Sequence, residues 1–298
     1  MHEIFGVSFE LTRFNEGGPN MFYRKYEPSP LLADFVECYF IWDSEGRLKE
    51  PLEVESPPNG FGSIVFNYGD PYYLKNKKYD RLLVPMQFVS GQSIYSYKLF
   101  LEGRIGIAGI VFKPAALATL FSLPVYEFTE ERIDLFSVFR KDITEKYKTL
   151  IMEAGGEDER VRALEDFVMQ QYRIHQPEPD YIDKAANLIV EKNGLLQVGD
   201  LLKESFMSRR SFERKFFQKV GLSPKYYARI RRIGYLMNLI AGKKKVDWSS
   251  LFHECEFYDQ AHFIKDFEEF TGRTPQQYLK ENAELANYVE KPATRPIK

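Results

Sequence analysis

The sequence predicts an α+β chain, with a strand-rich, barrel-like N-terminal domain followed by an all-α domain that holds two helix-turn-helix units. Three observations carry this prediction. Short alternating apolar runs separated by turn residues fill 35–112, helical periodicity runs almost unbroken beyond 178, and a helical motif recurs there at an offset of 51 residues. At 298 residues, 44% apolar and 28% charged, the chain is long enough for two separate cores. It has no apolar run of about 18 residues and no basic-then-apolar leader, so a cytoplasmic location without a membrane partner is expected.

The runs Val36 to Trp42, Ser63 to Tyr68, Leu82 to Val89, Ile94 to Leu101 and Ile105 to Phe112 have the length and alternation of strands. Pro57-Pro58-Asn59-Gly60 and Gly69-Asp70-Pro71 supply turns between them. Pro114 opens an apolar helical stretch, Ala115 to Leu123. Helical spacing returns with Leu135, Val138, Phe139, Ile143, Tyr147 and Leu150, then with Val161, Leu164, Val168 and Tyr172. His175-Gln176-Pro177-Glu178-Pro179 is a stiff polar break and marks the domain boundary.

Beyond that break, Ser211-Phe212-Glu213-Arg214-Lys215-Phe216, Gly221-Leu222-Ser223-Pro224 and Tyr227 recur as His262-Phe263-Ile264-Lys265-Asp266-Phe267, Gly272-Arg273-Thr274-Pro275 and Tyr278. Phe212, Phe216 and Val220, like Phe263, Phe267 and Phe270, form one apolar stripe per helix. Gly221 and Gly272 suit the left-handed residue that ends a helix, and Ser223-Pro224 and Thr274-Pro275 suit the start of the next. Shorter apolar-periodic segments precede each copy: Val198, Leu201 and Leu202, then Trp248, Leu251 and Phe252. Ser208 and Asp259 cap the second helix of each pair, which makes two helix-turn-helix units.

A net charge of −2 hides a gradient, since 1–177 hold 20 basic against 26 acidic residues and 178–298 hold 21 against 17. Within 203–245, 13 basic residues face only Glu204 and Glu213. That density, set on helix-turn-helix units, points to a polyanion, double-stranded DNA. Stepping 100° per residue from the buried stripe places Arg210, Arg214 and Gln218 outward on the first reading helix, with Arg209 and Glu213 beside them. Arg210 and Arg214 are the leading base contacts, because a guanidinium fork spans guanine O6 and N7 together. Phe217 points outward too, as a residue that covers a neighbouring helix does. The helix from Pro224 to Ala241 turns Ile230, Ile233, Met237 and Ile240 inward and leaves Arg229, Arg231 and Arg232 for phosphates. Lys243-Lys244-Lys245 is either a further phosphate clamp or a soluble loop.

From Leu196 to Tyr278, the Gly-x-Ser-Pro and Gly-x-Thr-Pro junctions and Phe257-Tyr258-Asp259-Gln260-Ala261-His262-Phe263 resemble the DNA-binding domain of the AraC/XylS transcription regulators. Less distinctively, Phe35-Val36-Glu37, Ile64-Val65-Phe66-Asn67, Ser90-Gly91-Gln92 and Gly109 to Pro114 resemble the sensor-like domain of a subgroup of them. Periodicity, the polar break and the resemblance together divide the chain into an extension at 1–20, a sensor or dimerisation domain at 21–134, a helical bridge and linker at 135–177, the DNA-binding domain at 178–285 and a tail at 286–298. The resemblance implies contacts at Gln260, His262 and Lys265 in the second unit, reading of successive major grooves, and RNA polymerase as a partner. The sequence departs from the family pattern where Asp266, Glu268 and Glu269 replace basic residues and Glu256 replaces a turn glycine. The first unit is therefore expected to dominate binding.

An enzyme of the helix-turn-helix-fused DNA alkyltransferase kind would need a nucleophilic cysteine in a Pro-Cys-His-Arg setting. Cys38 and Cys255 each follow a glutamate and match nothing of that motif. Residues 3–174 contain no histidine, so a histidine metal cluster in the strand-rich domain is excluded, and no cofactor is expected. That domain is left as a small-molecule sensor or as a protein-contact module that makes a homodimer. Its aromatics, among them Phe35, Tyr39, Trp42 and Phe66, suit a ligand pocket or a core.

Overall fold

The period-two alternation of the N-terminal half becomes two antiparallel sheets in the computed structural model, which describes residues 21–241, 243 and 245–282. Lys244, the 1–20 extension and the 286–298 tail lie outside the described residues. The strands are β1 (Phe22–Tyr26), β2 (Val36–Arg47), β3 (Leu52–Ser56), β4 (Gly62–Asn67), β5 (Tyr73–Lys75), β6 (Leu82–Leu83), β7 (Gln87–Ser90), β8 (Tyr97–Leu101) and β9 (Arg104–Phe112). Helices α1 (Ala116–Phe121) and α2 (Val125–Phe128), a short strand β10 (Ile133–Asp134), and helices α3 (Lys141–Glu153) and α4 (Glu157–His175) follow. One sheet has the order β1-β2-β9-β4-β7-β10, the other β3-β8-β5-β6.

Alternation decides what each face of the six-stranded sheet covers. Tyr39 and Ile41 of β2, Ile64 and Phe66 of β4, and Ile110 and Phe112 of β9 pack with α1 and α4. Their neighbours Trp42, Val65, Ile105 and Ile107 pack with Leu74 and Leu101 of the four-stranded sheet. The barrel-like expectation thus takes the form of two sheets packed face to face. The apolar run 82–89 breaks at Pro85 into β6 and β7, which belong to different sheets. Helices α3 and α4 cover the larger sheet through Tyr147, Ile151, Leu164 and Phe167.

The C-terminal region comprises α5 (Tyr181–Glu191), α6 (Val198–Glu204), α7 (Arg209–Val220), α8 (Pro224–Ile240), α9 (Trp248–Glu254), α10 (Gln260–Thr271) and α11 (Pro275–Asn282). Ile230, Ile233, Met237 and Ile240 of α8 run through one core that joins Phe212, Phe216 and Val220 to Phe263, Phe267 and Phe270. Ile94 and Ala115 of the N-terminal domain belong to that same core. Among the described residues no helix is long and apolar enough to cross a membrane.

Candidate nucleic-acid interface

In the first unit, α6 and α7 meet through a tight turn, and Ser208 Oγ accepts from the backbone N–H of Ser211 to start α7. Gly221, at φ +83°, ends it in the left-handed conformation that glycine adopts without steric cost. Phe212, Phe216 and Val220 are buried, and Arg209, Arg210, Arg214, Lys215 and Gln218 are exposed. Arg209 Nε donates to Glu213 Oε1 at 2.9 Å, which neutralises the only carboxylate on this helix. Arg210 and Arg214 form no ion pair among the described residues. The outward face therefore presents two unengaged guanidinium forks.

In the second unit, Asp259 Oδ1 accepts from the His262 N–H at 2.7 Å to start α10, and Thr274 and Gln277 cap α11 reciprocally, at 2.9 and 3.1 Å. Gln260, Ala261 and Lys265 are exposed, and His262 is half-buried with Nε2 3.6 Å from Asp266 Oδ2. The carboxylates expected to repel DNA divide. Asp266 is almost fully buried and Glu269 partly so, and both turn toward α8, which leaves Glu268 exposed.

Residues 201–281 match the family model of a helix-turn-helix domain, and residues 24–134 match that of a domain of unknown function, DUF6597. Residues 201–281 form an AraC-type helix-turn-helix DNA-binding domain. No curated protein matches. Among solved structures, ToxT from Vibrio cholerae is similar at 11% identity and a TM-score of 0.42, over 78% of this chain and 97% of that one. An unsaturated fatty acid-bound ToxT gives 11% and 0.40, over 90% and 96%. The AraC-like transcriptional activator CuxR gives 14% and 0.34, over 74% and 83%. Likenesses this distant carry no argument about function, and the helix-turn-helix match carries the assignment.

Within this AraC-type domain, the spacer helix α8 departs from expectation. Arg229, expected at a phosphate, donates to Asp266 at 2.6 and 3.2 Å and to Glu269 at 2.5 Å. Burial acts to lower its pKa, but the two carboxylates outweigh it and the guanidinium ends above its ordinary value. Arg232, also expected at a phosphate, donates to the carbonyls of Glu256 and Gly194, and Arg231 is buried with a bond to the Asn59 carbonyl. All three arginines tie elements together. Lys243 and Lys245 are exposed. The cysteines are buried, and burial pushes the Cys38 thiol up to about 11 and the Cys255 thiol up to about 12, so neither supplies a thiolate at neutral pH.

The exposure of two aromatics at the turns escaped the sequence reading. Phe206, fully exposed, and Tyr258, 93% exposed, flank the starts of α7 and α10. The offset between copies is 51 at the caps Ser208 and Asp259 but 50 at the helix ends Ser205 and Cys255, so the second turn has one residue more. That shift was the available signal for Tyr258. Phe206 and Glu256 occupy equivalent left-handed positions, both at φ +52°. Phe206→Gly should raise stability by about 1 kcal/mol, because a left-handed backbone costs an L-residue about 1–2 kcal/mol and no buried contact is lost. A chemical denaturation curve that did not move, or moved down, would refute this.

Proposed function

We propose that this transcription regulator binds double-stranded DNA sequence-specifically, reading adjacent major-groove segments with α7 and α10, and that the first unit dominates. The observation that carries the reading is the face of α7, where Arg210 and Arg214 stand exposed opposite the buried phenylalanines. Arg209, Glu213 and Gln218 flank them, and Gln260, His262 and Lys265 supply a weaker second contact. Asp266 and Glu269 no longer weaken α10 as free charges, but α10 still offers only Lys265 where α7 offers Arg209, Arg210, Arg214 and Lys215. Lys243, Lys244 and Lys245 are further candidates for phosphate contact. Duplexes selected by the full chain from a random pool should share one strongly protected segment with a fainter neighbour about one helical turn away. Two equally protected segments would contradict the ranking, and no enrichment would contradict the function.

Control by a small molecule at the N-terminal domain belongs to the same reading. Its support is Gln92, fully buried, whose amide donates to the Pro114 carbonyl at 2.8 Å while Oε1 has no partner among the described residues. A buried amide oxygen calls for a donor, from water or from a ligand.

A further inference from the structure

The N-terminal domain grips the DNA-binding domain at three separate places. At the first unit, Phe217 of α7 stacks on Tyr126 of α2, with ring centres 5.6 Å apart and planes 19° apart. Lys219, in the last turn of α7, donates to Thr119 of α1 at 3.2 Å and to Asp183 of α5 at 2.5 Å. At the spacer helix, Arg231 bonds the Asn59 carbonyl and lies 4.4 Å from the centre of the Phe61 ring. At the second unit, the Ser96 N–H donates to the Phe270 carbonyl at 2.9 Å, and Arg273 pairs with Glu55 of β3.

Gly234 shows that α8 is shaped for this grip. It sits inside a helix of 17 residues, where glycine weakens the fold. A Cβ there would lie 2.9 Å from the carbonyl oxygen of Pro58, a backbone atom that cannot swing aside. Arg231 adds to this, because a buried guanidinium is costly unless a partner meets it, and the 59–61 loop brings both a carbonyl and a ring. The grip also leaves the reading faces open, since Arg210, Arg214, Gln218, Gln260 and Lys265 remain exposed while the N-terminal domain is docked.

We propose that the N-terminal domain is a splint that fixes the distance and rotation between α7 and α10, so that preference for the spacing of two DNA half-elements resides in residues that touch no DNA. Within the DNA-binding domain the two units are joined through α8, the apolar core along it and the pairs of Arg229 with Asp266 and Glu269, and the N-terminal domain adds a brace from outside. A body held at both ends and in the middle cannot hinge about that helix. The consequence for DNA rests on the function proposed above; the rigidity does not.

The test uses the full chain. Spin labels at Glu204→Cys and Ser249→Cys, one exposed site per unit, report the distance between units without DNA. Gly234→Ala, which strengthens α8 while obstructing the Pro58 carbonyl, and Glu55→Gln with Tyr126→Ala, which release the two ends, are compared with the parent. The parent should give one narrow distance and select duplexes with half-elements at one spacing. The variants should broaden the distance and select the same half-elements at spacings spread over several base pairs. A distance distribution that stays narrow in both variants overturns the splint. A broadened distance with an unchanged single spacing overturns its role in specificity. If even the parent enriches no sequence, the DNA reading fails, and the label distances still decide the splint.

Discussion

Arg229→Ala should destabilise the protein by about 3–5 kcal/mol, because it leaves the Asp266 carboxylate buried with its main partner gone. The same side chain read as a phosphate contact would give the opposite pattern, normal stability and uniformly weaker DNA binding. Arg229 also holds Glu269, which in addition accepts from the Tyr226 hydroxyl at 2.9 Å. These bonds hold the Glu269 carboxyl below its ordinary value against the effect of burial, so the loss should extend to the α8–α10 contact. Replacing Asp266 by Ala in the Arg229→Ala background should recover much of the stability, since removing both charges removes the uncompensated one. Urea denaturation of the two variants and the parent checks this. Equal stability of Arg229→Ala and parent would contradict it.

The affinity of the full chain for duplex DNA should fall about a thousandfold or more between 50 and 200 mM salt, if about six of its exposed cations meet phosphates and release counterions. Arg210, Arg214, Lys215, Lys225, Lys243, Lys245 and Lys265 are exposed and available for this, and Arg209 is exposed but paired with Glu213. Arg229, Arg231 and Arg232 are not, because they are committed to Asp266 and Glu269, to Asn59, and to Glu256 and Gly194. Their replacement therefore leaves the salt slope unchanged, whereas Lys215→Ala lowers it by about one. The full chain is the right material, because Ile94 and Ala115 complete the core of the C-terminal helices. An affinity that barely changes across this salt range would leave no role for the basic block.

What the sequence disclosed was what is local. The repeat, the caps Ser208, Ser223 and Asp259, and the terminating glycines follow from side chains within a few residues of the backbone groups they satisfy, and each is found in place. The central strands β2, β4 and β9 were legible because both their faces are buried. Strands β1 and β3 were not, since as edge strands they carry Arg24, Lys25, Glu53 and Glu55 and blur the alternation. Phe217 was read as covering a neighbouring helix and does so, on Tyr126 of α2. The fates of Arg229 and Arg231 were hidden for another reason, since their partners lie 37 and 172 positions away, and a helical wheel shows only that a side chain points outward, not what waits there. The excess of basic residues in 203–245 therefore overstated the charge free to meet DNA, and the acidic block at 266–269 overstated the repulsion.

Base reading by α7 is tested most directly by measuring Arg214→Ala and Lys265→Ala in the full chain, each against a selected duplex and a random one. Arg214→Ala should lose about 1–3 kcal/mol on the selected duplex, much less on the random one, and relax the preference at one or two base pairs. Lys265→Ala should lose less. Equal losses by Arg214→Ala on both duplexes, or a greater loss from Lys265→Ala, would contradict the assignment of α7 as the principal reader.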